Sequence, residues 1–259
     1  RAMVPHKALY EVKMVSRQSG SPVLNISGQM FYEWRRSCEA WTTDHRFKLF
    51  YEYADSAPME ITSDFSTYES FDGESFNFSS RRTRNGELFE ELRGQAREID
   101  GVMKAQYTKP AEIEYILPPA TLFPMSHTID LLKHAKAGNT FFNAPIFDGS
   151  DDQGPVEVNA FIGPKAKALA KIASTPGLDR TLLDTKAWQI RMAFFPIYKP
   201  EAESEYEMDI VFHENGLISD MKVDYKDFSV TQKLVALEKL ADDTAPCNGP
   251  ENTNGSKKK

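Results

Sequence analysis

Cysteine is nearly absent: two in 259 residues, Cys38 and Cys247, are too few for a disulfide-knitted scaffold. Neither has a CxxC or HxxxH partner beside it, so they do not make a zinc site. No apolar run reaches 18 residues, which excludes a membrane-spanning helix. Positive charge is also short, with 31 basic against 38 acidic residues and a net charge of −7. Three of those basic residues sit in the terminal KKK, so the folded part is more acidic still. That argues against a nucleic-acid backbone or an anionic membrane surface as the main partner, since both demand concentrated basic surface. No GxSxG elbow and no glycine-rich phosphate loop of either common type occurs, removing strong signatures of hydrolases and nucleotide-binding enzymes. The chain opens RAMVPHKALY, without an initiator methionine or a charged-then-apolar leader, which leaves export with a signal peptide already cut away an open reading at this end.

What is present is turn punctuation at short intervals: GSP at Gly20, DSAP at Asp55, DG at Asp72, NG at Asn85, DG at Asp100, KP at Lys109 and LPP at Leu117. Between these marks apolar and aromatic residues alternate, as in Ala8, Tyr10, Val12 and Met14, or Phe47, Leu49, Tyr51 and Tyr53. A period of two is the signature of half-buried strands. The clearest hairpin is EMDIVFHENGLISDMKVDY, where Asn215-Gly216 predicts a type I′ turn between strands ending near Phe212 and beginning near Leu217.

One segment breaks this rhythm. In LFPMSHTIDLLKHAKAGNT, Met125, Ile129 and Leu132 fall at helical spacing, Leu131 and Ala135 widen the stripe, Pro124 suits a first turn and Gly138 a left-handed stop. This predicts an amphipathic helix over roughly Pro124–Ala137. A second helix is expected in PKAKALAKIASTPG, opened by Pro164 and followed by Gly177, and VTQKLVALEKLADD satisfies strand and helix periods alike. The expectation is one all-β domain over 1–247 with one or two short helices, a long exposed loop or hinge over IFDGSDDQGPVEV (146–158), and a disordered tail over 248–259.

Candidate chemistry is sparse. His127 and His134 are seven apart and share a helix face near Asp130, a metal-compatible spacing, though an exposed helix flank fits better. His45, between Asp44 and Arg46, reads as a solvated polar turn. Asp151-Asp152 and the run Glu201, Glu203, Glu205 and Glu207 offer no differentiated acid and base; a charged strand edge that resists aggregation explains the run. Arg81, Arg82 and Arg84 read as a solvated hairpin tip. The aromatic residues are more telling: 17 Phe, 10 Tyr and 3 Trp place large side chains on both strand faces in FKLFYEY, MAFFPIY and NTFFNAPIF. Core packing accounts for most, and an apolar groove lined by Trp34, Trp41, Phe142 and Trp188 is the functional alternative. No cofactor or metal is called for. For the cysteines, separate thiols and a bridge both fit the spacing.

HKALYEVKMV, ISGQMFYEWRRSCEAWTT, GESFNFSSRRTRNGE, LFPMSHTIDLLKHAKAG, DYKDFSV and a terminal APC together resemble the EipB family of exported alphaproteobacterial cell-envelope proteins, over nearly the whole ordered chain. The resemblance implies an overlapping antiparallel spiral β-sheet, barrel- or sandwich-like, closed by a Cys38–Cys247 disulfide. For a loop of that size the chain-entropy model gives roughly 5 kcal/mol. It further implies a monomeric periplasmic protein without assigned catalysis that supports envelope integrity, with a tetratricopeptide-type envelope protein as the partner class. A carrier of a lipid, glycolipid or peptide is the alternative, and a hydrolase of envelope polymers ranks last.

Overall fold

The computed structural model describes residues 3–165, 176–198 and 206–241. Among them, fourteen strands form one antiparallel sheet in the spatial order β8-β7-β6-β5-β4-β3-β2-β1-β14-β13-β12-β11-β10-β9. The first arm is β1 (His6–Arg17), β2 (Val23–Arg36), β3 (Ala40–Tyr53), β4 (Met59–Ser70), β5 (Ser75–Arg84), β6 (Glu87–Ile99), β7 (Val102–Lys109) and β8 (Ile113–Ile116). The second is β9 (Phe141–Ile146), β10 (Val156–Lys165), β11 (Ala187–Pro196), β12 (Glu207–His213), β13 (Ile218–Asp224) and β14 (Phe228–Lys239). The chain therefore starts mid-sheet, walks outward by hairpins to one edge, crosses to the other edge and walks back. The last strand closes on the first, from His6 opposite Lys239 to Arg17 opposite Phe228.

Local chemistry explains the hairpins. Asn85 (φ 49°) and Gly86 (φ 84°) both occupy the left-handed region, the type I′ geometry whose twist matches paired strands. The Asn215-Gly216 turn differs from expectation. Gly216 is left-handed at φ 92°, but Asn215 stays outside that region. The Gly216 N–H donates to the His213 carbonyl at 3.0 Å, and the His213 N–H to that of Leu217 at 2.8 Å, a longer turn ending in a glycine bulge. The reason is that the Asn215 carboxamide is engaged: its Nδ2 donates to the Leu182 carbonyl at 2.9 Å and its Oδ1 accepts from the Leu217 N–H.

The crossover carries helix α1 (Pro124–Lys136), with proline in its first turn and Gly138 at φ 79° just past its end, as the pattern predicts. Leu131, Leu132 and Ala135 pack against Ile146, Val158, Ile190 and Ile210 of the second arm, while Met125 packs against Trp34 and Trp41 of the first. One helix thus joins both arms. A one-turn helix, α2 (Arg180–Leu183), was not foreseen; Asp179 caps it, and Leu182 and Leu183 enter the core beside Tyr10 and Leu234. Strand β10 runs through Pro164, which therefore opens no helix, and residues 166–175 lie outside the described residues. The ambiguous VTQKLVALEKL resolves as strand, because β1 and β13 hydrogen-bond it on both sides.

Residues 147–155 are not an exposed hinge. Phe147 is buried among Phe76, Phe78 and Tyr107, and the Tyr107 and Tyr115 hydroxyls donate to the Asp151 and Asp152 carbonyls at 2.9 and 2.6 Å. Gly149 (φ 66°) lies so close to Phe78 that a Cβ there would stand 2.4 Å from ring carbon Cγ. The polar, glycine-rich run is instead a strap that fastens the second arm over β5, β7 and β8. That overlap makes the sheet a spiral.

Candidate functional site

Directly paired residues of an antiparallel sheet share a face, so register defines rungs across the spiral. One rung reads Tyr10, Met30, Phe47, Ser63 and Arg82; the next reads Tyr32, His45, Phe65, Ser80 and Leu92. All of these side chains except Leu92 border an interior lumen of two chambers. The inner, about 220 Å³, is walled by Met3, Tyr10, Met30, Tyr32, Trp34 and Met125 among others. The outer, about 500 Å³, is bordered by Phe47, Arg82, Asp151, Tyr206, Tyr225 and Gln232 among others. Met30, His45 and Met221 belong to both walls, which makes the chambers contiguous. Helix α1 closes the inner end through Met125 and Thr128. Flexible thioethers and aromatic rings give a wall that adapts to apolar shapes.

What seats the plug is Glu69 of β4. Its carboxylate is buried yet accepts the Met125 N–H at 2.7 Å and the Ser126 N–H at 2.8 Å, the orphan donors at the start of α1. The Ser126 hydroxyl adds a third bond at 2.9 Å. Burial raises the carboxyl pKa, and these hydrogen bonds pull it back in part. Nothing local in the sequence marks this pairing, because 55 or more positions separate the partners. The helix has no side-chain cap of its own, and that deficit was the available signal.

His45 is not in a polar turn. It lies mid-β3 and faces the lumen, its Nε2 2.7 Å from the Met30 sulfur, its ring edge-on to Tyr32, and burial lowers its pKa to about 4. Burial also raises the Tyr10 and Tyr32 hydroxyls, so both remain protonated. Arg82 is not at a solvated tip. Its guanidinium lies over Phe47 at 5.8 Å and Phe89 at 5.5 Å, with the Glu90 carboxylate 3.6 Å away. Arg84, at the end of β5 beside the Asn85-Gly86 turn, is exposed and lies over Phe89, and Arg81 is exposed near Glu91, so these two do sit at a solvated hairpin tip.

The other sequence candidates separate. Trp34 walls the inner chamber, and Trp41 packs behind it at 5.1 Å. Phe142 and Trp188 lie elsewhere, against the cluster built on α1, β10 and β11. His127 and His134 both stack on Phe142, at 5.7 and 4.4 Å. His127 is buried rather than exposed, its pKa lowered to about 4 by desolvation, and no metal-holding cluster occurs among the described residues. Glu207 pairs with Arg191, which also holds Asp209 and Asp224; Glu201, Glu203 and Glu205 lie outside the described residues. Cys38 sits in the β2–β3 turn, and Cys247 and the tail over 248–259 lie outside the described residues.

One arrangement that the sequence did not announce has the look of a nucleophile and base. His213 stands between Ser219, 2.7 Å from Nε2, and Thr185, 3.0 Å from Nδ1. His213 and Ser219 are each 0% exposed, and neither borders the lumen, so no substrate reaches them. Ser219 also begins an SxxK spacing with Lys222, but residues three apart in a strand face opposite sides, and Lys222 pairs with Asp224. The imidazole satisfies one buried and one half-buried hydroxyl, a structural role.

A coiled antiparallel sheet around a helix-plugged cavity defines a barrel-like all-β protein. The chain belongs to the EipB-like family, whose model matches residues 1–241. It is 30% identical over 239 residues to the cell envelope integrity protein EipB of Brucella abortus (strain 2308), a match covering 91% of this chain and 84% of the relative. A crystal structure of a beta-barrel-like protein of domain of unknown function DUF1849 from Brucella abortus superposes with a TM-score of 0.84 at 27% identity, covering 93% of this chain and 99% of that one.

Proposed function

We propose that this protein supports cell-envelope integrity from the periplasm as a non-catalytic binding protein, holding the apolar chain of an amphiphile in its lumen. The envelope-integrity role is taken from the Brucella relative's name, and the periplasm from the family resemblance. The observation that carries the ligand class is the pair of contiguous chambers: an inner wall of methionine, tyrosine and tryptophan, and an outer wall with polar groups. We take the chain to be exported with its leader removed, and Cys38 to be bridged to Cys247. Strands β2 and β14 both run antiparallel to β1, so both leave the sheet at the same end, about 10 Å apart for two strand spacings. Cys247 lies six positions beyond the last described residue, Ala241, a length of chain that supplies the reach.

The test is titration with N-phenyl-1-naphthylamine, a neutral apolar dye, together with native mass spectrometry of protein taken directly from cells. Saturable fluorescence gain, weakened by Met221→Trp at the junction of the chambers, is the expected result. A dye that never binds, and a native mass with nothing bound, would overturn the reading.

Docking of another envelope protein, of the tetratricopeptide type that the family resemblance names, is a second reading. It is favoured by Phe141 and Phe161, whose rings meet at 5.2 Å on the edge hairpin and are 47% and 54% exposed. Phe161→Asp should abolish co-purification with such a partner while leaving dye binding unchanged; retained co-purification would count against this surface.

A further inference from the structure

Two buried polar atoms without a partner, Nε of Arg82, a donor, and Oε1 of Gln232, an acceptor, belong to side chains that line the lumen's outer chamber. Unsatisfied buried groups cost about 1–3 kcal/mol each, and native proteins keep few of them. Both atoms belong to residues on the wall of one cavity, on opposite arms of the spiral: β5 supplies the donor and β14 the acceptor. We infer that the outer chamber takes the head of an uncharged acyl amphiphile that offers both a carbonyl and a hydroxyl or amide N–H, the monoacylglycerol class, with the chain running toward Trp34. The carbonyl accepts from Arg82 and the hydroxyl donates to Gln232. This rests on the lumen reading above and adds its polarity and selectivity.

Charge decides against the obvious alternative, a free fatty acid or phosphate head. Arg82 is already faced by the Glu90 carboxylate at 3.6 Å, and Asp151 borders the same chamber. A second anion at Arg82 would meet the Glu90 carboxylate that already partners it, and like charges at that range repel. The guanidinium is further held over the rings of Phe47 and Phe89, which leaves its buried Nε–H as a donor without a partner. Tyr206 and Tyr225, rings with polar tips on the same wall, suit the boundary between chain and head. At the inner end no acid or base faces the apolar wall except His45, which burial keeps neutral near pH 7.

The experiment displaces N-phenyl-1-naphthylamine from the full chain with monolauroylglycerol or with laurate at pH 8. Monolauroylglycerol is expected to compete at a concentration at least ten-fold lower than laurate. Arg82→Met and Gln232→Met, made separately, should each erase most of that preference, read as the ratio of the two competitors' concentrations on the same variant, with cooperative thermal unfolding showing that the fold is kept. Equal or better competition by laurate, or a preference that survives both substitutions, would overturn the head-group assignment while leaving the lumen reading in place. Failure of the dye to bind at all would overturn both.

Discussion

Glu69 and Ser126, 57 positions apart, meet through two hydrogen bonds to one carboxylate oxygen: the Ser126 N–H at 2.8 Å and its hydroxyl at 2.9 Å. A strand of the first arm thereby holds the start of the helix that plugs the lumen.

Replacing Glu69 with alanine should strand the Met125 and Ser126 donors in a buried site. We expect a loss of about 2–4 kcal/mol, combining lost hydrogen bonds with lost charge–helix attraction. Urea unfolding measures it, and a loss under about 0.5 kcal/mol would show the contact to be idle. Dye affinity should fall as well, since Met125 walls the inner chamber.

Acid should destabilise this fold well above the range in which carboxylates titrate. His45, His127 and His213 have pKa values lowered from 6.5 to about 4, chiefly by burial. The unfolded chain therefore binds protons that the native one refuses, and the stability contributed above pH 6.5 drains away as pH falls toward 4. For fully enclosed His127 and His213 the effect is on the order of 3 kcal/mol each. Glu69 works in the opposite sense. Its pKa is raised by burial, so its contribution is largest below 4.5 and declines as pH rises through its folded value. His127→Phe keeps the stack on Phe142 and removes an unpartnered buried nitrogen. Its melting temperature should exceed the parent's at pH 5 with a shallower pH slope; parallel slopes would refute the assignment.

The proposed Cys38–Cys247 bridge has a direct readout in intact mass after alkylation. Both cysteines should resist labelling until reductant is added, and reduction should lower stability by up to about 5 kcal/mol in the chain-entropy account. Labelling of native protein without reductant would dismiss the bridge.

Gly149→Ala and Gly101→Ala separate backbone strain from collision. Both glycines have positive φ, but a Cβ at Gly101 meets nothing within 4 Å, whereas at Gly149 it collides with Phe78. The Gly101 variant should cost about 1 kcal/mol and the Gly149 variant an additional 1–3 kcal/mol. Equal melting temperatures would mean that the strap yields.

Much of this architecture is legible locally. Alternation gives β1, where His6, Ala8, Tyr10 and Val12 are buried in turn, and helical spacing with Pro124 and Gly138 gives α1 almost to the residue. What local pattern misses is decided by distant contact. The strap looks polar and loose because its burial comes from Tyr107, Tyr115 and Phe78, which lie far off in the chain. Arg82 looks solvated among charged neighbours, yet strand alternation turns it inward while Arg81 faces out to Glu91. Trp34 stands out by size and does border the lumen, whereas Phe142 and Trp188 share its chemistry but sit on rungs that the spiral directs into another cluster.

The pairing of the final strand with the initial one has a price in time. The chain emerges β1 first and β14 last, from an export channel as from a ribosome, so until its last strand is free one long edge of the growing sheet has no neighbour. Open edges recruit other chains, and contacts between sequence extremes form slowly. A chain halted anywhere before Phe228 keeps that edge bare, so truncated or stalled copies are expected to aggregate where the full-length product does not.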